Sequence, residues 1–351
     1  VLSRSGPPSR PSPLLAVPGA VPDTGRDAGT AWHYGDPLRE QRLLAVGTAV
    51  TDLSHRGVVR VSGPDRLGWL HSLTTQHLSG LEPGVSRESL VLSPHGHIEH
   101  ALHLVDDGEA CWITVEPGTT ADLVAWLDSM RFLLRVEVHD ETAAWAVVGV
   151  AGVPGAWAEA RAGAPPAWLD PWPAVAPGSV SYTQVPDVEH PGHERVWREV
   201  PVPRGELAER LDGVDLAGSW AAEALRVAAW RPRLGAETDH RTIPHEVDWL
   251  RSAVHLTKGC YRGQETVARV HNLGRPPRRL VMLHLDGSEH TLPAAGDLVV
   301  HGARTVGRVT TAVRHHELGP VALALVKRSV AVDVPLTVGG LAATQETVVR
   351  P

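Results

Sequence analysis

The stretch Lys258-Gly259-Cys260-Tyr261-Arg262-Gly263-Gln264-Glu265 holds one of the chain's two cysteines and one of its two lysines. A thiol reacts as its thiolate, and nearby cations or a helix N-terminus favour that form. Lys258 and Arg262 each stand two residues from Cys260. Gly263 followed by residues 264–270 reads as a turn entering a helix, whose first N–H groups would face the loop. The spacing predicts an activated thiol with Cys260 and Lys258 as its reactive pair. The plainer alternative is a surface loop with an incidental cysteine.

Other residue types with chemical potential are more scattered. His95, His97, His100 and His103 crowd one hairpin region. On a strand, His97 and His103 share a face with Glu99 while His100 points the other way. The set matches no zincin or inverzincin spacing, so solvent-facing or hydrogen-bonded histidines are expected there and no metal site. The run from Arg231 to Glu246 mixes charges of both signs with rigid turns. It suits either the lining of a pocket for an anionic small molecule or a solvated connection. Cys111, within Cys-Trp-Ile-Thr-Val, reads as a small core hydrophobe on a buried strand. No P-loop, Rossmann fingerprint, Gly-x-Ser-x-Gly elbow or zinc knuckle is present.

These residues need a scaffold. The chain has 351 residues, 42% of them apolar, which suits two or three globular domains. A net charge of −7 gives no general nucleic-acid surface. No apolar run reaches the roughly 18–20 residues that span a bilayer. Two cysteines make no disulfide framework, which points to a reduced, cytoplasmic protein. Arginine is strongly preferred over lysine, so Lys258 and Lys327 survive against a coding bias, a hint that an ammonium is wanted there.

Residues 1–30 are rich in Pro, Ser, Gly, Arg and Asp and are expected to form a disordered leader. A first α+β module spans residues 31–142. It has a short helix at 36–44, strands at 58–62, 89–92, 97–105, 110–115 and 135–138, and helices near 66–71 and over 120–134. A second α+β module spans residues 143–277. Its strands fall at 144–150, 179–184 and 195–199, and its helices at 154–161, 204–211 and 218–229; it ends in the thiol loop. Residues 278–351 alternate in short strands at 279–285, 297–301, 305–313, 321–326 and 332–338, the pattern of a small β-barrel or sandwich.

The motif Lys258-Gly-Cys-Tyr-Arg-Gly-Gln-Glu265, with Val267-Ala-Arg-Val270 and Leu273-Gly-Arg275, resembles the signature of the YgfZ family of folate-binding proteins. Asp52-Leu-Ser54 with Gly57, Val59, Val61 and Gly63 resembles the start of the wider glycine-cleavage T-protein superfamily, as do Leu70 to Thr75 and Gly80 to Gly84. Thr242-Ile-Pro-His-Glu-Val247 and Gly319-Pro-Val-Ala-Leu-Ala-Leu-Val-Lys-Arg328 resemble counterparts in the YgfZ branch. The likeness covers roughly residues 36–330.

The resemblance implies a three-domain cloverleaf: two α+β modules and a C-terminal β-barrel around a central channel that takes tetrahydrofolate or a derivative. It implies a role in iron–sulfur cluster assembly or repair and, through cluster enzymes, in tRNA modification. Cys260 and Lys258 fall on the family's cysteine and lysine. Arg226, Trp230, Tyr261, Arg262, Gly263, Gln264 and Glu265 are the expected cofactor-binding residues. Implied partners are a folate and iron–sulfur enzymes or assembly factors; no nucleic acid or membrane is expected to bind directly, and the protein is expected to be a monomer. Two departures set the chain apart from T-proteins that transfer an aminomethyl group. Their acidic residues after a glycine are replaced in Gly96-His97-Ile98-Glu99-His100-Ala101, which has no aspartate. Their pterin-holding glutamate falls on Ala228, which removes a bidentate, charge-assisted contact. Two alternatives stand beside this reading: a tetrahydrofolate-dependent aminomethyltransferase, and a non-catalytic ligand-binding scaffold.

Overall fold

The computed structural model describes residues 11–159, 163–288 and 291–351. Two five-stranded sheets and one closed six-stranded barrel account for most of the strands. The first sheet runs, in spatial order, Ser86–Leu92, Ile98–Asp106, Ala110–Val115, Gly57–Ser62 and Glu137–Asp140, with every neighbouring pair antiparallel. One face carries the helices Arg66–Leu73 and Thr120–Ser129. Together with the strands they bury Val59, Val61, Leu70, Leu102, Leu104, Cys111, Leu123 and Leu127. Cys111 is therefore a core residue, and burial pushes its thiol well up.

The second sheet runs Trp168–Leu169, Trp197–Pro203, Trp145–Ala151, Ala49–Asp52 and Asp215–Ala217, with only the last pair parallel. Its strand Ala49–Asp52 precedes the whole first sheet in sequence, so the two layers interlock across the division expected at residue 142. The barrel closes in the order Arg278–Leu285, Gly319–Lys327, Arg304–His315, Leu298–His301, Leu336–Val338, Leu341–Thr347. Its inward-facing Val281, Leu283, Val299, Val309, Ala322, Ala324, Val326 and Val338 fill the interior as a packed core. A further core joins all three units: Leu90 and Leu92 of the first sheet meet Trp230 and Trp249 of the second module and Leu280, Met282 and Leu323 of the barrel.

Several expectations change. Residues 11–30 fold. Pro13–Ala16 forms a 3-10 helix capped by the Ser12 hydroxyl, Val21–Pro22 pairs with Ala31–His33, and Leu14 and Asp27 are buried. Composition missed this because the segment orders itself against the rest of the chain and not through its own apolar content. Residues 1–10 of the expected leader lie outside the described residues. The helix expected over 120–134 stops at Ser129, where the chain turns through Phe132 at φ +48°. The strand expected at 179–184 is absent. Here Asp248 and Arg251 hold the backbone and the Ser181 hydroxyl in place of a neighbouring strand. The barrel gains the strand Leu341–Thr347, which closes it against Arg278–Leu285. No described helix is long and apolar enough to cross a membrane.

Candidate functional site

The thiol loop connects the turn after the helix Leu250–Ala253 to the helix Gln264–Leu273. Gly263 caps that helix at φ +83°, a conformation that suits glycine. A side chain there would also collide: its Cβ would lie 2.5 Å from the Ser93 carbonyl oxygen and 3.0 Å from Gly96 Cα. Gly96, at φ +78°, meets Thr266 just as closely. Two glycines therefore let the loop seat on the hairpin between Ser86–Leu92 and Ile98–Asp106.

Lys258 is buried, and its ammonium donates to the carbonyls of His71, Thr74 (2.6 Å) and Gln76 (3.2 Å) while sitting 5.1 Å from the centre of the Tyr261 ring. Burial pulls it down to about 8. Arg262 donates to Glu99 at 2.7 Å and lies over Trp126. Both cations expected to activate the thiol thus have other occupations: Lys258 pins the end of the helix Arg66–Leu73, and Arg262 ties the loop to the first sheet. Cys260 and Glu265 are exposed. Tyr261 and Gln264 line a groove of about 470 Å³ with Gly178, Val180, Thr257 and His271.

The other expected ligand contacts lie elsewhere, at the meeting point of the three units. An outer cavity of about 750 Å³ is lined by Leu225, Ala228, Trp230, Met282, His315 and His316, with Arg42 and Arg195 among its cations. Trp230 is 2% exposed, takes φ +55°, and donates its indole N–H to Met282 Sδ at 3.0 Å. Burial pulls His315 down to about 4, so it faces the cavity as a neutral imidazole at physiological pH.

Deeper in lies an inner chamber of about 50 Å³, enclosed by ion pairs. Arg226 reaches Glu223 at 2.8 Å and Glu237 at 2.7 Å. Arg231 reaches Glu88 at 2.6 Å and Asp170 at 3.1 Å. Arg233 reaches Asp27 at 2.6 Å and Glu116 at 2.8 Å. Arg56 reaches Glu199 at 2.5 Å and Glu116 at 3.2 Å. The start of the Arg231-to-Glu246 run is therefore a buried lining, and its arginines bind the chain's own carboxylates. Asp27 belongs to the segment expected to be disordered, yet it also pairs with His55 at 2.7 Å. Burial raises the Glu199 carboxyl, but Arg56 and His103 more than reverse this and hold it well below the usual carboxylate range. Burial lowers Arg195 to about 10 despite its pairing with Asp170. Arg195 lines both cavities and packs 4.3 Å over the ring of Trp197.

Of the expected cofactor-binding residues, the structure brings Trp230 to the outer cavity and Arg226 to the inner chamber, separate from the thiol loop's Tyr261, Arg262, Gly263, Gln264 and Glu265. Cys260 is not part of the lining of these cavities. Asp27, Arg56 and Glu199 escaped sequence reasoning, since no local spacing links positions so far apart. Among the described residues no group of three or more His, Cys, Asp or Glu is arranged to hold a metal ion.

Two family matches fall on this architecture. Residues 30–158 match the GCVT N-terminal domain, and residues 278–349 match the glycine cleavage T-protein C-terminal barrel domain. The chain thus carries both T-protein domains of an aminomethyltransferase-like protein. An aminomethyltransferase of Nostoc is 29% identical over 337 residues, 87% of this chain and 84% of the relative. One from Streptomyces coelicolor is 27% identical over 317 residues, 84% of this chain and 82% of the relative. A chloroplastic Arabidopsis thaliana protein named as a transferase is 27% identical over 282 residues; the match covers 76% of this chain but only 62% of that protein's length. In three dimensions the chain matches the glycine cleavage system aminomethyltransferase T of Bartonella henselae with a TM-score of 0.75 at 20% identity, over 96% of this chain and 95% of that one. The outer cavity is bordered mainly by the second module and the barrel, whereas the inner chamber is lined from Asp27, the first sheet and the second module without a barrel residue. Ala228 lines the outer cavity and Ala101 the inner chamber, each with no more than a methyl group.

Proposed function

We propose that the protein binds tetrahydrofolate or a derivative in its outer cavity and serves iron–sulfur cluster assembly or repair through the exposed thiol of Cys260, in the manner of the YgfZ family. The observation that carries the reading is the outer cavity itself: about 750 Å³, walled by Trp230, Leu225 and Met282, with Arg42, Arg195 and histidines alongside glutamates in its lining. Its size and its mix of aromatic, aliphatic and polar lining suit a flat heterocycle that carries hydrogen-bonding groups. The relatives named aminomethyltransferase support a folate-dependent protein. Group transfer of their kind is the second reading; Ala228, where a T-protein carries its pterin-holding glutamate, and the lack of an aspartate in the stretch Gly96 to Ala101 count against it. Cys260, exposed on a loop anchored by Lys258 and Gly263, is accessible to a protein partner and stands apart from the cavities.

The thiol role is tested by complementation. In a strain lacking the protein, Cys260→Ser is expected to fold normally and to leave iron–sulfur enzyme activity and the dependent tRNA modifications unrestored. Full restoration by that variant would remove the thiol from the function.

A further inference from the structure

His103 lies on the strand Ile98–Asp106, two residues after Ala101 and on the same face, and both line the inner chamber. Its ring is clamped. Trp168 stacks flat against it, with centroids 3.8 Å apart and planes 3° from parallel. Nδ1 pairs with Glu199 Oε2 at 3.0 Å. Glu199 is itself fixed by Arg56 and by the Thr114 hydroxyl at 2.6 Å. That fixes the tautomer: with Glu199 ionised, Nδ1 carries a proton and Nε2 is the site that gains or loses one. Nε2 lies 3.8 Å from Glu88 Oε1, beyond hydrogen-bond reach, and Glu88 already accepts from Arg231, Trp249 and Ser252. The side chain keeps 14% of its surface open.

We propose that His103, oriented by Glu199, is the proton-transfer group of the inner chamber, exchanging one proton through Nε2 with a basic nitrogen of the bound ligand. This rests on the folate reading given above. Arg195 lines both spaces, so a pterin held in the outer cavity with its ring edge at Arg195 would turn its ring nitrogens toward the small chamber that His103 lines. The protonated imidazole donates to the nitrogen lone pair; if the proton moves, the N–H bond at Nε2 breaks, one forms on the ligand, and Glu199 stays ionised. The charged groups facing His103 are Glu199 across the chamber and Glu88 on the adjoining strand, with Arg56 and Arg231 behind them. Thr114 and Trp168 complete its surroundings and do not titrate in this range.

The test is equilibrium binding of tetrahydrofolate to the full chain between pH 5.5 and 8.5, for the wild type and for His103→Gln. The wild type is expected to bind about tenfold more tightly at the acid end, because one proton is taken up with the ligand. His103→Gln is expected to flatten that profile while keeping the alkaline-end affinity within a few fold. Binding whose pH profile is the same in both proteins overturns the role of His103 and leaves the folate reading standing. No binding by the wild type at any pH overturns both. If the glutamine variant does not fold, the imidazole nitrogen resonances of wild-type His103 decide the matter. A titration displaced by ligand supports the role, and one unmoved by saturating ligand refutes it.

Discussion

The Lys258 ammonium donates to the Thr74 carbonyl at 2.6 Å, joining the thiol loop to the C-terminal end of the helix Arg66–Leu73. His71 and Gln76 supply two further carbonyl acceptors. Three converging acceptors suit a compact ammonium with three donors, and a planar guanidinium cannot satisfy them from the same position. Lys258 is therefore an anchor for the loop that carries Cys260.

Removing that anchor leaves buried carbonyls without a donor. Lys258→Met is expected to lower unfolding free energy by about 2–4 kcal/mol, the scale of losing charge-assisted hydrogen bonds. Lys258→Arg is expected to recover less than half of that. Urea denaturation followed by tryptophan fluorescence measures both; wild-type stability in Lys258→Met would show that the carbonyl contacts are dispensable.

The two glycines flanking Cys260 should behave differently. Gly263 combines a left-handed φ with backbone atoms where a Cβ would go, whereas a Cβ on Gly259 meets nothing within 4 Å. Gly263→Ala is expected to cost about 2–4 kcal/mol and to expose the helix Gln264–Leu273 to hydrogen exchange. Gly259→Ala is expected to change stability by less than about 1 kcal/mol. Equal effects at the two positions would contradict the docking of Gly263 on Ser93 and Gly96.

Acid should unlock the inner chamber. Burial raises the carboxyls of Glu199 and Asp27, but Arg56 and Arg233 respectively, with the neighbouring histidines, more than offset this and hold both below their usual values. A carboxylate whose folded pKa is depressed stabilises the protein above its unfolded pKa, and that stability is lost as pH falls through the folded value. Unfolding free energy is therefore expected to hold from pH 7 to about pH 5 and to fall steeply below about pH 4. Glu199→Gln is expected to be about 3–5 kcal/mol less stable at pH 7, because Arg56 loses a buried partner, and to decline less below pH 4. The measurement is denaturant unfolding across that pH range; an unchanged acid limb in Glu199→Gln would contradict the assignment.

Local signals in the chain foretold much of this structure, and long-range pairings hid the rest. The alternation of residues 279–326 announced the barrel, and the Gly263 turn announced the helix after it. Cys111 read correctly as core. The roles of Lys258 and Arg262 were not legible, because adjacency to Cys260 in sequence suggested contact with the thiol while the side chains turn to His71, Thr74 and Glu99. Asp27 was hidden by its polar surroundings, since its order depends on Arg233, 206 residues away. Glu199 and His103 are similarly joined only by the folding of one sheet against the other.

Whether the outer cavity holds a folate is tested most directly by calorimetric titration of the purified full chain with tetrahydrofolate. Saturable binding at one site per chain is predicted, lost when the cavity is filled by Ala228→Trp in a folded variant. Ala228→Glu is predicted to tighten binding about tenfold or more by restoring a charge-assisted acceptor at the pterin edge. Absence of saturable binding at millimolar ligand, or binding indifferent to both substitutions, would contradict the account.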